Sequence, residues 1–168
     1  MRLRLTSLLL GATLLVAVTA STQYATGAGR RLPAGADPEI RATLERLFSA
    51  WSDLDPAKAA PFYAKDPDLV FFDVAPMKYT GWAEYAAGVP TAFAPYRSGK
   101  FTLNDDLRVY RHGPQAWATA TWRGELTKKA GGIENVVGRY TAVLEKRGKH
   151  WLLLHEHMSV PLGGEEKK

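Results

Sequence analysis

A carboxylate near the end of the chain stands in surroundings that could change its chemistry. Glu156 lies in a β-rich segment, and strand alternation places it on the same face as Leu154 and Met158. Burial among such neighbours would raise its pKa and suit it to exchange a proton near neutrality. A buried ion pair, or an exposed position at the edge of a cavity, is the structural alternative for the same residue.

A second carboxylate ends a short hydrophobic run. Asp73 follows the run that starts at Leu69 and lies shortly before Pro76. As a general base, it could remove a proton from a carbon beside a carbonyl group. Aspartate also commonly caps turns, which is the structural alternative.

Two histidines close to Glu156 raise the question of a metal. His155 and His157 are two residues apart, so alternation places both on one strand face. Such a pair can hold zinc only when a third ligand joins it. His112 lies in a predicted turn, His150 falls on the opposite face, and the chain has no cysteine. The sequence therefore predicts no metal site. The histidines are instead expected to form hydrogen bonds across the sheet or to lie at a subunit interface.

The elements before residue 99 are mainly helical. Asp37-Pro38 and Asp55-Pro56 each place a capping acid before a proline, which is typical of a helix start. Thr80 is expected to cap a third helix, which Pro90 ends or kinks. The first helix is predicted from one apolar stripe at helical spacing, formed by Ile40, Leu44, Leu47, Phe48, Trp51 and Leu54.

The elements after residue 99 are mainly strands. Turn signals at 112–114, 131–132 and 147–148 separate four predicted strands, which cover residues 101–110, 116–126, 136–145 and 151–160. Helices followed by antiparallel strands predict an α+β domain, with the helices packed on one face of a curved sheet. Such a sheet leaves a cavity at its wide end. Residues 94–99 are predicted to form a mobile loop over the opening.

The N-terminus has the features of a secretory signal peptide. Arg2 and Arg4 precede an apolar run from Leu8 to Val18, and a small-residue cleavage site ends at Ala20. We therefore predict a signal peptide at 1–20, a flexible leader at 21–36, one domain at 37–161 and a tail at 162–168. An uncleaved anchor is the alternative, although the run is shorter than the roughly 20 residues that span a membrane. The mature protein is expected to be secreted or periplasmic, with no stable membrane insertion.

Composition excludes several classes of function. Cleavage after residue 20 leaves 20 Lys and Arg against 17 Asp and Glu, so the formal net charge falls from +5 to +3. This charge is too small for a nucleic-acid-binding surface, and the basic residues are scattered among acids. The absence of cysteine excludes disulfides, thiolate metal sites and a cysteine nucleophile.

The last two predicted strands carry a recognisable pattern. The Thr141-x-Val143 segment, Gly148 followed by Trp151, and His155-x-His157-x-Ser159 resemble the SnoaL-like families. They resemble in particular the association domain of calcium/calmodulin-dependent protein kinase II. The resemblance implies the cone-shaped fold of the nuclear transport factor 2-like superfamily over about residues 37–161. That superfamily includes ketosteroid isomerases, polyketide cyclases, binding domains and assembly modules, so the fold does not determine the function.

The resemblance assigns residues to a pocket, with two departures. The kinase association domain lines its pocket with arginines, whereas the matching positions here are Trp122, Ala142 and Met158, which predicts an apolar pocket. Ketosteroid isomerases place a base aspartate where Asp73 lies, but their second aspartate matches Ala142, which cannot donate a hydrogen bond. Glu156 is then expected to be the protonated donor in place of that aspartate, while Asp73, nearer the opening and better hydrated, stays ionised. The other predicted ligand-contacting residues are Tyr140 on the pocket face and Tyr63, Tyr85 and Tyr96 around the opening.

Three functions remain open at this point. The favoured one is an exported homodimer that binds a small, largely apolar molecule in its pocket. The second is an isomerase, dehydratase or cyclase that needs no cofactor and uses Asp73 and Glu156 as an acid–base pair. The third is a homo-oligomeric assembly module. The outer sheet face, with Thr119, Thr121, Thr141, Val143, Leu153 and His155, is predicted to form the dimer contact.

Overall fold

A computed structural model describes residues 37–162 of the chain. Three helices come first, interrupted by a short two-stranded sheet, and a five-stranded antiparallel sheet follows. The elements are α1 (Pro38–Trp51), α2 (Pro56–Ala59), β1 (Val70–Phe71), β2 (Tyr79–Thr80), α3 (Gly81–Phe93), β3 (Tyr96–Leu103), β4 (Arg108–His112), β5 (Gln115–Lys128), β6 (Ile133–Arg147) and β7 (His150–Ser159). The signal peptide, the leader and most of the tail lie outside the described residues.

The predicted caps start the first two helices. The Asp37 carboxylate accepts a hydrogen bond from the Ile40 backbone N–H at 3.1 Å, and Asp55 accepts one from Ala57 at 2.8 Å. These acids satisfy backbone donors that have no partner within the helix. The third helix begins directly after Thr80, as predicted, but it continues to Phe93, three residues beyond Pro90.

The large sheet has the order β3-β5-β6-β7, and β4 pairs with the other half of β5. The single strand predicted over 101–110 is therefore wrong, because it is divided into β3 and β4. The chain turns between them at 104–106, where Asp106 accepts a hydrogen bond from the Thr121 backbone N–H at 2.9 Å. Asparagine and aspartate favour such turns, so this break had a signal in the sequence.

The loop predicted at 94–99 is not a lid. From Tyr96 onward the chain belongs to β3 and pairs with the end of β5, with Ser98 opposite Thr127 and Gly99 opposite Leu126. A strand held by ladder hydrogen bonds cannot open independently of the sheet. The prediction of a mobile loop from the turn-forming residues of this segment is therefore wrong.

An irregularity in β7 changes which of its side chains face inward. Val143 pairs with His155, whereas Leu144 pairs with Leu153, so Leu154 is an extra residue in the ladder. Such a β-bulge shifts the alternation by one residue. Leu153 is consequently buried on the inner face together with Glu156, and our placement of Leu153 on the outer, dimer-forming face is wrong.

The core lies between the helices and the inner sheet face. It combines the predicted stripe of α1, except Leu54, which lies beyond the end of the helix, with small or aromatic residues of β5 and β6, including Ala118, Trp122, Tyr140 and Ala142. The outer face of β5 is exposed at alternate positions, and Trp117 there stacks on Tyr110 with ring centroids 5.1 Å apart. This arrangement confirms the predicted α+β class with helices on one face of an antiparallel sheet.

Candidate functional site

An apolar cavity opens between α1, α3 and the inner face of the sheet. Its volume is about 240 Å³, and most of its wall is hydrocarbon or aromatic. Only a few polar side chains reach it, chiefly Asp73, Tyr85, Tyr96, Glu134 and Glu156. The apolar wall consists of Phe48, Trp51, Val74, Ala75, Val89, Ala92, Phe93, Phe101, Trp122, Leu126, Val136 and Met158. A mostly apolar wall with a few convergent polar groups is typical of a small-molecule site.

Backbone pairing brings the two predicted carboxylates to this cavity. Phe72 donates its N–H to the Glu156 carbonyl at 2.9 Å and accepts from the Met158 N–H at 2.9 Å. The segment after β1 therefore runs parallel to β7 for one bridge. Asp73 is the next residue, and its side chain lines the same cavity as Glu156. This contact joins parts of the chain that are more than 80 residues apart.

The Glu156 carboxyl is held by two tyrosines. Its Oε1 accepts hydrogen bonds from the Tyr63 hydroxyl at 2.6 Å and from the Tyr85 hydroxyl at 2.8 Å. The Tyr63 oxygen in turn accepts a hydrogen bond from the Trp51 indole N–H at 2.9 Å. This chain of donors fixes the orientation of the carboxyl and saturates one of its two oxygens. The other oxygen, Oε2, accepts from neither of these two hydroxyl groups.

Burial shifts the proton affinity of Glu156. The side chain is 1% exposed, and desolvation is the largest cause that raises its pKa from 4.5 to about 7. The negative charge of Asp73 raises it further, while the hydrogen bonds from Tyr63 and Tyr85 act in the opposite direction. Burial therefore acts on Glu156 in the direction that the sequence predicted, toward a pKa near neutrality.

Asp73 has a raised pKa as well, which corrects one expectation. The side chain is half-buried rather than well hydrated, and burial raises its pKa from 3.8 to about 6. A hydrogen bond from the Val74 backbone N–H at 2.7 Å partly offsets this effect. Burial therefore raises the pKa of both carboxyls, and that of Glu156, the more deeply buried group, is raised to the higher value.

The aromatic residues predicted to contact a ligand divide into two groups. Trp122, Met158, Tyr85 and Tyr96 line the cavity, whereas Tyr63 and Tyr140 do not. Tyr63 and Tyr85 lie in the interior, 1% and 2% exposed, rather than at the opening where we expected them. Both are drawn inward because their hydroxyl groups bind Glu156, a contact that spacing along the chain could not indicate.

Tyr140 lies behind the cavity wall and next to the carboxyl. It is 1% exposed, and its hydroxyl is buried next to the Glu156 carboxyl. Burial and the charge of Glu156 hold its pKa well above the usual 10. Tyr140 is therefore a neutral hydroxyl group that adjoins the acid.

The rim of the cavity carries a polar cluster that sequence reasoning missed. The Tyr96 hydroxyl donates a hydrogen bond to Glu134 at 3.1 Å, and Lys128 forms an ion pair with the same carboxylate at 2.8 Å. The lysine and the hydroxyl hold the pKa of Glu134 below its usual value. Glu134 thus stays ionised at the opening and differs in charge from the acid inside.

The histidines of β7 are explained by local packing. His155 Nδ1 lies 2.6 Å from the Val70 carbonyl oxygen, and Phe72 packs edge-on against the rings of His155 and His157. Residues 37–162 contain no group of three or more His, Cys, Asp or Glu side chains placed to hold a metal ion. None of the helices described in this range is long and apolar enough to cross a membrane.

Solved structures with the same architecture are numerous. A nuclear transport factor 2-like superfamily protein from Salmonella enterica has a TM-score of 0.67 at 20% identity, over 77% of this chain and 96% of that one. A Xanthomonas campestris protein, provisionally named a calcium/calmodulin-dependent protein kinase II association domain, has a TM-score of 0.67 at 24% identity, over 79% and 94%. A Streptomyces avermitilis protein, provisionally named a dehydratase, has a TM-score of 0.65 at 16% identity, over 75% and 96%. No curated protein sequence matches this chain.

The family assignment follows from the sequence match and agrees with this architecture. Residues 40–163 match the SnoaL-like domain family, which is most of the chain. The structural neighbours independently give the nuclear transport factor 2-like fold. The chain therefore belongs to the SnoaL-like domain family and has the nuclear transport factor 2-like fold.

Proposed function

We propose that the cavity binds a small, largely apolar molecule that carries one hydrogen-bonding oxygen. The observation that supports this most is the combination of an apolar wall with a buried carboxyl, which two tyrosines hold by Oε1 and whose second oxygen is Oε2. Below about pH 7 that oxygen carries a proton and can donate it to a carbonyl or hydroxyl oxygen of a ligand. A dicarboxylate is disfavoured, because within residues 37–162 the cavity wall has no arginine or lysine, and Lys128 at the rim is paired with Glu134.

A fluorescent aryl ketone tests this proposal. The probe 2-acetylnaphthalene offers an apolar bicycle and one carbonyl oxygen, and its binding can be followed by fluorescence. Val136→Trp should fill the cavity and abolish binding, whereas Val137→Trp, on the exposed outer face of the same strand, should leave it unchanged. Equal binding by both variants, or tighter binding of succinate than of the ketone by the unmodified protein, would contradict the proposal.

Acid–base catalysis is the second candidate, and the shared cavity of two carboxyls with separated pKa values favours it. Between about pH 6 and 7, Asp73 is largely ionised while Glu156 is largely protonated. Asp73 would then take a proton from the carbon next to a ligand carbonyl. Glu156 would donate a hydrogen bond to the oxygen of the resulting enolate, and the proton on Asp73 would return to carbon.

Deuterium exchange separates catalysis from binding. In D₂O the methyl protons of 2-acetylnaphthalene should exchange faster in the presence of the protein, with a bell-shaped pH profile between about pH 6 and 7. Asp73→Asn should abolish the acceleration and leave binding intact, and Glu156→Gln should reduce it. If the ketone binds and no exchange is accelerated, the protein is a binding domain for this ligand class.

Export and pairing remain proposals that rest on other features. The N-terminal residues predict a periplasmic or secreted protein, but they lie outside the described residues. A homodimer is supported by the exposed apolar side chains of Trp117 and Val137 on the outer sheet face, 44% and 45% exposed. A purely structural role in assembly would use the same face and would leave the cavity without a function. Measured binding of a ligand in the cavity would therefore count against that role.

A further inference from the structure

An exposed apolar groove lies beside the cavity. Its volume is about 600 Å³, and it runs between the segment 72–77 and the end of β7. Eight large apolar side chains are exposed within residues 37–162, and four of them line this groove. They are Phe72 at 38%, Val74 at 46%, Val160 at 37% and Met77 at 85% exposure. Apolar side chains that cluster in this way on a loop usually mark a binding surface.

The groove adjoins the cavity along one short segment. Asp73, Val74, Ala75 and Met158 line both spaces. Asp73 therefore stands at the boundary between an enclosed region that holds Glu156 and an open apolar channel. A molecule whose oxygen meets Glu156 could leave the cavity past Asp73 and continue along the groove.

The two volumes indicate what such a molecule looks like. Ligand pockets usually measure about 300 to 1,000 Å³, and a cavity of about 150 Å³ holds one benzene ring. The cavity here, at about 240 Å³, accommodates a head group of one to two rings and little more. The groove adds about 600 Å³ of mainly apolar space, with His157 and Ser159 as its polar members besides Asp73.

We propose that the ligand is elongated: its oxygen-bearing head lies in the cavity and an apolar tail lies in the groove along Met77 and Val160. This inference rests on the proposed binding function and narrows it from any compact apolar molecule to a chain-bearing carbonyl or hydroxyl compound. The tail replaces water over side chains that are otherwise exposed. Affinity should therefore grow with tail length.

A homologous series of phenyl alkyl ketones, from methyl to octyl, tests the inference by calorimetry. Each methylene that enters the groove should improve affinity roughly fourfold. Met77→Glu places a charge in the groove at a side chain that is 85% exposed and outside the cavity wall, so folding and the binding of the methyl ketone should be unchanged. In this variant the gain in affinity per methylene should be lost once the alkyl chain of the ketone extends beyond the cavity.

Two further variants sharpen the experiment. Val160→Asp, on the opposite wall of the groove, should flatten the series in the same way as Met77→Glu. Ile133→Glu is the matched control, because Ile133 is 68% exposed and lies outside both spaces. Its series should follow that of the unmodified protein.

The outcomes distinguish this inference from the proposed function. If the methyl ketone binds but affinity does not rise with chain length, the groove proposal fails and the binding function stands. The groove proposal also fails if affinity rises equally in Met77→Glu, since the tail then lies elsewhere. It fails too if Met77→Glu changes the molar mass by light scattering, because the groove is then a contact between copies. If no member of the series binds, both proposals fail.

Discussion

Replacement of Glu156 by glutamine should remove a pH-dependent cost from the folded protein. The carboxyl is 1% exposed, and its pKa is raised from 4.5 to about 7. The folded protein therefore holds this proton more tightly than the unfolded chain does. This proton therefore contributes to the free energy of unfolding, and its contribution is complete below about pH 4.5, declines as pH rises, and is lost once pH exceeds about 7.

The size of this effect follows from the shift. Each pKa unit corresponds to about 1.4 kcal/mol, so a shift from 4.5 to about 7 corresponds to about 3 kcal/mol. Glutamine keeps the geometry of the protonated acid, because its amide oxygen can accept from Tyr63 and Tyr85 while its NH₂ takes the place of Oε2. At pH 5 the unfolded carboxyl is already largely ionised, so the variant should be more stable than the unmodified protein by about 1 kcal/mol. At pH 8.5 it should be more stable by about 3 kcal/mol.

Urea unfolding at the two pH values measures the difference. Linear extrapolation gives the free energy of unfolding for each protein, and groups that titrate equally in both cancel in the comparison. Glu125→Gln is the control, because Glu125 is an exposed carboxylate on the outer face of β5. A Glu156→Gln difference that is the same at pH 5 and pH 8.5 would refute the reasoning. Carbon-13 NMR of the Glu156 carboxyl should independently show a midpoint near 7.

Three other predictions concern pocket, assembly and export. Trp122→Arg places a charge in the apolar cavity and should weaken binding of 2-acetylnaphthalene at least tenfold, by about 1.4 kcal/mol or more; unchanged affinity by fluorescence would contradict the assigned wall. Trp117→Glu on the outer sheet face should convert the proposed dimer to a monomer in light scattering, and a monomeric unmodified protein at micromolar concentration would contradict pairing. N-terminal sequencing of the exported protein should start at Ser21, just after Ala20, or near Ala28, whereas an intact Met1 on soluble cytoplasmic protein would exclude export.

Local sequence signals predicted the helices and most of the sheet. The acid–proline pairs at Asp37 and Asp55 start helices because they satisfy free backbone donors, and that chemistry needs no distant partner. The predictions of one strand over 101–110 and of a loop over 94–99 were both wrong, because turn-forming residues were misjudged. The Asn-Asp-Asp turn at 104–106 was overlooked, and Pro95 before β3 and Gly99 within it were given more weight than the pairing of β3 with β5.

The site could be predicted only in part, because long-range pairing builds it. Alternation placed Glu156 inward correctly, but the bulge at Leu154 put Leu153 on the same face, and a bulge is set by register rather than by local spacing. Asp73 reaches the cavity through the bridge between Phe72 and β7. Tyr63 reaches Glu156 through a second bridge, to Leu153, and neither bridge has a sequence signal.

The arrangement around Glu156 argues for use of the carboxyl rather than for a purely structural role. A structural hydrogen-bond acceptor for Tyr63 and Tyr85 could be a glutamine, which would avoid the cost of about 3 kcal/mol that the carboxylate brings above pH 7. What only a carboxyl adds is a proton that leaves and returns near neutral pH, at an oxygen beside the cavity. Groups with such shifted pKa values cluster at functional sites, and this one shares its cavity with a second. Both proposed functions use the exchangeable proton of Glu156, and they differ in what they require of Asp73. Recognition of a ligand oxygen requires only the proton on Glu156, whereas proton transfer at carbon requires Asp73 to be ionised at the same time.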